Sequence, residues 1–236
     1  MKKSIIVTLV IVLVLILDQW LKIWVKLNIN YGDGFNILGL EWAQIHFIEN
    51  PGMAFGLTYG GVTGKIILST FRILMVGILI YILRSLIKSK EPIGLLISFS
   101  LIIAGAMGNI VDSMFYGLIF SGSHIHSGLA QFMPPEGGYA PFLQGKVVDM
   151  FYFPLIDTTL PDWMPFWGGE RFQFFRPVFN LADSAISVGV ASIILFHRKF
   201  FKQDKKKKEG TNVEDIQANN GKENIVPPAI ISDQDS

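Results

Sequence analysis

The sequence predicts an all-α membrane protein with four transmembrane helices and a small outer β-sheet and loop region lying on the membrane. Half of the 236 residues are apolar, and the mean hydropathy is +0.43. Only 17% of residues are charged, whereas soluble domains carry about a quarter. The chain has no cysteine, which excludes disulfides, thiolate metal sites and a cysteine nucleophile.

Four apolar stretches supply the predicted spans, at about 5–27, 65–87, 92–118 and 178–200. The first follows Lys2 and Lys3, as in a signal peptide, but no small-residue cleavage site follows it. We therefore expect a retained helix, anchored at the interface by Trp20 and Trp24. Pro92 suits the first turn of the third helix, where a missing N–H costs little.

The three flanks that must share one side of the membrane, if there are four spans, are all basic. Basic residues precede the first span, fill the short link after the second, and follow the fourth as a lysine run at 205–208. Because Lys and Arg accumulate on the cytoplasmic side, both termini are expected in the cytoplasm. We expect a membrane domain over 1–200 and a disordered tail over 201–236. The lysine run is expected to attract anionic lipid, with no role in binding nucleic acid.

The outer segments then cover about 28–64 and 119–175. Residues 35–57 alternate apolar residues with glycine and polar ones, which predicts a small sheet. Residues 120–175 are rich in glycine, proline and aromatic residues, including Trp163 and Trp167. Such a composition is typical of a segment at the level of the lipid headgroups.

Polar residues within three of the spans lie at one predicted depth. At 1.5 Å per residue, Asp18 lies about 21 Å from the inner face and Asn109 about 25 Å. Asp112 is one turn further out, and Asp183 lies about 8 Å below the outer face. Polar groups in a bilayer are costly, so their convergence in the outer third predicts a functional site near the outer face.

Individual motifs allow more than one interpretation. Asp18 and Lys22 are four residues apart on one helix face, and a structural ion pair is favoured over direct catalysis by Asp18. The small residues 105–108 favour close helix packing. Asp149 and Asp183 could form a carboxylate pair around one water, in which one acid keeps its proton. They could equally be unrelated, with Asp183 capping the fourth helix, and spacing alone does not decide.

Other classes of protein remain open at this stage. His124 and His126 lie two residues apart, but no third ligand is evident nearby, so no metal site is expected. Ser113 or Ser184 with Lys22 would make a Ser/Lys peptidase. A proton-coupled carrier would use the intramembrane acids as a relay, but inverted repeats are not evident. A non-enzymatic scaffold would tolerate neutral replacement of the acids.

Five ordered motifs resemble those of the lipoprotein signal peptidases, also called signal peptidase II. The first two boxes are Asp18-Gln19-Trp20-Leu21-Lys22 and Asn50-Pro51-Gly52-Met53-Ala54-Phe55-Gly56. The third is Gly105-Ala106-Met107-Gly108-Asn109-Ile110-Val111-Asp112, in the third span. The last two are Val147-Val148-Asp149-Met150 and Phe179-Asn180-Leu181-Ala182-Asp183-Ser184. The resemblance covers roughly residues 5–200.

The resemblance implies an aspartic endopeptidase of the bacterial inner membrane, without a metal or organic cofactor. It implies cleavage of diacylglyceryl-modified prolipoproteins just before the lipidated cysteine, with Asp149 and Asp183 as the catalytic dyad. Substrate-binding residues would be Asn50, Gly52, Phe55, Asn109 and Asn180. Structural support would come from Asp18, Lys22 and Asp112. The expected partners are prolipoprotein substrates and membrane lipids, and a monomer is expected.

The sequence departs from the family pattern in two ways. Most members have an arginine directly after the aspartate of the third box, where this chain has Ser113. Arg171 or Arg176 is a candidate replacement for that positive charge. The chain also carries long insertions between Asp112 and Asp149 and between Asp149 and Asp183, which would form an enlarged outer lid.

Overall fold

Three long apolar helices form the membrane part of the computed structural model, which describes residues 2–51 and 61–197. They are α1 (Lys3–Asn28), α2 (Gly61–Lys88) and α3 (Ile93–Ile119), with 26, 28 and 27 residues. At 1.5 Å per residue each is about 39–42 Å long, more than the roughly 30 Å of a hydrocarbon core. The mostly helical fold with a small sheet is therefore confirmed.

A fourth helix, α4 (Leu181–Phe196), has 16 residues. Its length of about 24 Å falls short of the roughly 20 residues that usually span a bilayer. The fourth crossing, predicted over 178–200, therefore stays a prediction. The predicted tail, 201–236, lies outside the described residues.

Helix α1 has one apolar, exposed face and an opposite face that carries charged residues. Leu9, Leu13 and Ile16 are exposed and follow the spacing of one helix face. The opposite face carries Asp18 and Lys22, which are buried inside the protein. Charged groups in a membrane helix avoid lipid, so this arrangement fixes which face of α1 packs against the other elements.

A four-stranded antiparallel sheet follows the outer end of α1. Its strands are β1 (Gly34–Asn36), β2 (Gln44–Asn50), β3 (Val147–Tyr152) and β6 (Val178–Phe179), in the order β1-β2-β3-β6. Strand β2 alternates in burial, with Ile45, Phe47 and Glu49 on its buried face. The sheet predicted for 35–57 is thus present in the described residues of that range. It also includes β3, which comes from a distant segment of the chain.

Strands β4 (Ile156–Thr159) and β5 (Arg171–Phe174) pair as a separate two-stranded antiparallel sheet. They belong to the excursion of the chain between β3 and β6. The connection between β4 and β5 carries exposed Trp163, Phe166 and Trp167.

A hydrophobic cluster joins the sheet to the helices. Val25 near the end of α1, Tyr116 near the end of α3, and Phe47, Val148 and Met150 from the sheet are all almost inaccessible to solvent. Because β3 is packed against both helices, the position of its side chains is set by the membrane part of the molecule.

Two glycines on α3 allow neighbouring elements to approach closely. A Cβ atom at Gly105 would collide with the backbone carbonyl of Ala182, at the start of α4. A Cβ atom at Gly108 would lie 2.5 Å from an Asp18 carboxylate oxygen. The close packing predicted for residues 105–108 is confirmed, and it brings α1, α3 and α4 together at one level.

Candidate active site

The start of α4 is fixed by a reciprocal pair of hydrogen bonds. The backbone N–H of Asp183 donates to Asn180 Oδ1 at 2.9 Å, and the backbone N–H of Asn180 donates to Asp183 Oδ2 at 3.4 Å. This is a capping box, in which residues three apart satisfy each other's backbone donors. Asp183 does cap the fourth helix, as one of the two sequence interpretations held. Its other carboxylate oxygen, Oδ1, accepts a separate hydrogen bond from Asn109.

Asp149 comes from the middle of β3 and is 2% exposed. Its Oδ1 accepts a hydrogen bond of 2.7 Å from Asn180 Nδ2. The side chain of Asn50, at the end of the adjacent strand β2, also hydrogen-bonds to it. Asn180 therefore contacts both acids, through its side-chain amide to Asp149 and through its backbone to Asp183.

Asn109 links the two acids a second time. Its Nδ2 donates to Asp183 Oδ1 at 2.8 Å, and its Oδ1 accepts from Asn180 Nδ2 at 3.2 Å. Lys22 Nζ also donates to Asn109 Oδ1, at 2.8 Å. An ammonium group has only donors, so Lys22 must be faced by the side-chain oxygen of Asn109. The NH₂ group of Asn109 therefore points to Asp183. The predicted residues Asn50, Asn109, Asn180, Asp149 and Asp183 thus form one network.

Lys22 is surrounded by carboxylates and is fully buried. Its Nζ lies 2.9 Å from Asp18 Oδ2 and 2.8 Å from Asp112 Oδ2. Asp18 Oδ1 in turn accepts the backbone N–H of Ala182 at 2.9 Å, and Gln19 donates to Asp112 at 2.9 Å. The predicted Asp18–Lys22 ion pair is present, and it extends to Asp112. These contacts tie α1 to α3 and α4 next to Asn109, which in turn donates to Asp183.

Burial is the main cause of a large shift at Asp149. It raises the pKa of this carboxyl to about 7, with a further upward contribution from the negative charge of Asp183. The hydrogen bonds from Asn180 and Asn50 oppose that shift, because they favour the ionised form. A carboxylic acid that is half protonated near neutral pH can donate a proton in catalysis.

A second buried polar cluster, around Lys26 and Glu49, lies beside the network that holds Asp149. The sequence analysis did not predict it. Lys26 Nζ forms an ion pair with Glu49 Oε1 and donates to Ser123 Oγ at 2.9 Å. Lys146 Nζ lies 3.3 Å from Glu49 Oε2. The rings of Phe47, Phe120 and Tyr139 surround the Lys26 ammonium at 5.2 to 5.9 Å. The cluster fixes the end of β2 and the residue before β3, next to Asn50 and Asp149.

Comparisons with known proteins assign the family of this chain. The sequence profile of the family described as signal peptidase (SPase) II matches residues 10–199. The chain belongs to the signal peptidase II family. The predicted family is confirmed.

Two relatives of signal peptidase II type illustrate the similarity, and both are named lipoprotein signal peptidase. One, from Porphyromonas gingivalis, is 55% identical over 155 residues, which cover 65% of this chain and 66% of the relative. The other, from Amoebophilus asiaticus, is 36% identical over 189 residues, which cover 80% of this chain and 75% of the relative. The matched segment thus spans slightly less than two thirds of the Porphyromonas protein.

Two solved structures share the fold of this signal peptidase II chain, and each is titled as a bacterial membrane enzyme determined by the in meso method. The first has a TM-score of 0.51 at 24% identity and covers 86% of this chain and 92% of its own. The second has a TM-score of 0.52 at 25% identity and covers 82% and 92%.

The serines of the alternative Ser/Lys mechanism are engaged elsewhere. Ser113 Oγ donates to Asn109 O and Ser184 Oγ donates to Asn180 O, both at 3.0 Å. Lys22 is occupied by carboxylates and by Asn109. This arrangement favours the carboxylate pair. Among residues 2–51 and 61–197, no group of three or more His, Asp or Glu side chains is arranged to hold a metal ion.

Two predicted substrate-binding residues, Gly52 and Phe55, lie outside the described residues. The candidate replacements for the missing family arginine, Arg171 and Arg176, are both exposed, and Arg176 Nε donates to Gln173 at 3.1 Å. The structure instead places a different arginine, Arg72 of α2, within electrostatic range of Asp183, Asp112 and Asp149. In the sequence, Arg72 is a charged residue inside the predicted second span, 65–87.

Proposed function

We propose that this chain is a membrane aspartic endopeptidase that removes the signal peptide from diacylglyceryl-modified prolipoproteins, cleaving before the lipidated cysteine. Asp149 and Asp183 would activate the attacking water. The observation that carries the proposal is the network through which Asn180 and Asn109 hold both acids, together with the raised pKa of Asp149, about 7. A buried carboxyl that still holds a proton near neutral pH, beside a second carboxyl, is what acid and base catalysis by a carboxylate pair requires.

The chemistry follows from these two groups. The ionised acid takes a proton from water while the water oxygen bonds to the scissile carbonyl carbon, and the protonated acid donates to the carbonyl oxygen. Collapse of the tetrahedral intermediate breaks the C–N bond. The proton taken from water passes to the leaving nitrogen, and the other acid recovers its proton from the intermediate. Burial of Asp149 strengthens these charge interactions because little water screens them.

The site also suits a substrate that is itself held in the membrane. The two acids lie where the helices meet the sheet, and the sequence places that level in the outer third of the bilayer. We propose four crossings of the inner membrane, both termini in the cytoplasm, and an active site near the outer face. Asn50, Gly52 and Phe55 would contact the substrate, and the enzyme would act as a monomer.

The test is cleavage of a purified, diacylated prolipoprotein by the purified protein in detergent or lipid. We expect Asp149→Asn and Asp183→Asn to stay folded by thermal unfolding and to lose cleavage by a factor of about 10³ or more. Asp162→Asn, an exposed aspartate of the outer segment, serves as the matched control and should cleave normally. Ser113→Ala and Ser184→Ala should also remain active. Near-normal turnover by either dyad variant would show that the acids are wrongly assigned.

A further inference from the structure

Glu49 is a buried acid that takes no part in the proposed reaction. It lies on β2, one residue before Asn50, and its side chain is 1% exposed. Its Oε1 forms an ion pair with Lys26 Nζ and accepts a hydrogen bond of 3.1 Å from Ser123 Oγ. Its Oε2 lies 3.3 Å from Lys146 Nζ. Burial of charges is costly and often adds no stability, so the elements that Glu49 connects indicate its role.

The two lysines that pair with Glu49 belong to elements on either side of β2. Lys26 lies in the last turn of α1, one turn after Lys22, which is part of the network around the acids. Lys146 is the residue directly before β3 and lies three residues before Asp149. Glu49 therefore joins the outer end of α1 to the start of the strand that carries Asp149.

The pairing of β2 with β3 places Glu49 and Asp149 on opposite faces of one two-stranded ribbon. Glu49 is opposite Val148, and Asn50 is opposite Val147. Because side chains alternate along a strand, Glu49 shares a face with Val148, whereas Asn50 and Asp149 share the other face. On that face they are diagonal neighbours, and the side chain of Asn50 hydrogen-bonds to Asp149. The contact between them depends on how β2 and β3 are held together.

The start of β3 is held through both the backbone and the side chain of Lys146. Its backbone N–H donates to Tyr139 Oη at 2.6 Å, and its ammonium pairs with Glu49. Tyr139 is in turn packed against Lys26, whose Nζ lies 5.2 Å from the centre of the tyrosine ring. The same Nζ donates to Ser123 Oγ at 2.9 Å. These contacts converge on Glu49, so its carboxylate is the group through which α1, β2 and the start of β3 are joined.

We propose that Glu49 is a positioning residue, which through Lys26 and Lys146 holds β2 and β3 in the arrangement that brings Asn50 against Asp149. This inference rests on the proposed function. Glu49 acts from the face of the ribbon opposite Asp149, so it contributes to the rate through the placement of that acid. A misplacement of about 1 Å in a catalytic site can lower the rate about a hundredfold.

The experiment measures kcat and KM of wild type and Glu49→Gln on the diacylated prolipoprotein, at a temperature where thermal unfolding shows both to be folded. We expect kcat to fall about tenfold or more, with KM within about twofold of wild type, because the acid is displaced while substrate contacts remain. Glu41→Gln is the matched control, since Glu41 is an exposed glutamate just before β2. It should match wild type.

A double-mutant cycle with Asn50→Ala separates positioning from a general loss of structure. If Glu49 acts by holding Asn50 against Asp149, the two substitutions remove the same contact and their effects are not additive. In the Asn50→Ala background, Glu49→Gln should therefore lower kcat only about threefold or less. A merely structural role would lower kcat by the same factor in both backgrounds.

Three outcomes would overturn the inference. One is a folded Glu49→Gln enzyme with wild-type kcat, and another is an equal effect of Glu49→Gln in both backgrounds. The third is a raised KM with unchanged kcat, which would mean that the cluster contacts substrate, through the partly exposed Lys146. If Glu49→Gln does not fold, Lys146→Met, which leaves the pair with Lys26 in place, is put through the same cycle. The proposed function fails separately, when the Asp149→Asn or Asp183→Asn enzyme still cleaves.

Discussion

Loss of Lys22 should strongly destabilise this molecule, because three buried groups depend on its charge. Its ammonium lies within 2.9 Å of Asp18, Asp112 and the amide oxygen of Asn109. The side chains of Lys22, Asp18 and Asp112 have no solvent exposure. In a Lys22→Met variant the side chain keeps its volume, but two carboxylates are left buried without a cation.

The size of the effect follows from that geometry. Removing one partner of a buried ion pair costs about 3–5 kcal/mol, because the other charge stays buried and uncompensated. Here one cation serves two carboxylates, so we expect the upper end of that range. For a chain of this size about 1 kcal/mol lowers Tm by roughly 2–4 °C, so Tm should fall by about 10 °C or more.

The assay is thermal unfolding in detergent, followed by tryptophan fluorescence, with Lys88→Met as the control, since Lys88 is exposed at the end of α2. The triple variant Lys22→Met, Asp18→Asn, Asp112→Asn should recover much of the lost stability, because the charges are removed along with their partner. A Lys22→Met protein that melts within about 2 °C of wild type would refute the reasoning. So would a triple variant less stable than Lys22→Met alone.

Three further outcomes are expected. Cleavage should decline as pH rises through about 7, the pKa of Asp149, because the acid then loses its proton; a profile flat to pH 9 would contradict this. In Asn50→Ala the loss of a hydrogen bond to the ionised form should raise that pKa by about one unit and move the basic limb upward. Gly105→Ala should cost about 1–3 kcal/mol and reduce cleavage, because its Cβ meets the Ala182 carbonyl. Gly77→Ala, on α2 with open space around it, should be neutral or stabilising in the same melting assay.

The sequence predicted the site largely because membranes restrict where polar residues can lie. Asp18, Asn109 and Asp183 sit in apolar surroundings in the sequence, and their similar predicted depth indicated that they gather in one site near the outer face. The structure brings them together with Asp149, whose position the sequence could not fix. Asp149 belongs to a strand whose pairing with β2 spans about a hundred residues, and no local pattern encodes such a pairing.

Other features were missed for identifiable reasons. In the sequence, Lys26 is an ordinary charge at the end of a predicted span. Glu49 is an ordinary charge in a predicted strand. The available signal was the period-two spacing of Ile45, Phe47 and Glu49, which puts Glu49 on the same strand face as two apolar residues. Arg72 lies one turn from Ser69 and one from Val76, but only the structure shows that these two residues are buried. The π-helical turn Asp112–Tyr116 had no signal that we can identify.

Strands β3 and β6 pair with each other and so bring together the two ends of the outer segment that connects them. Phe151 pairs with Phe179 and Tyr152 with Val178, so the two ends of the 25-residue excursion 153–177 are held side by side. The excursion can therefore lengthen, shorten or exchange its hairpin without changing the separation of the strand that carries Asp149 and the helix start that carries Asp183. An extra loop costs only slowly increasing entropy when its ends are already fixed. This segment can therefore vary, and with it whatever the hairpin touches, while the relative positions of Asp149 and Asp183 stay the same.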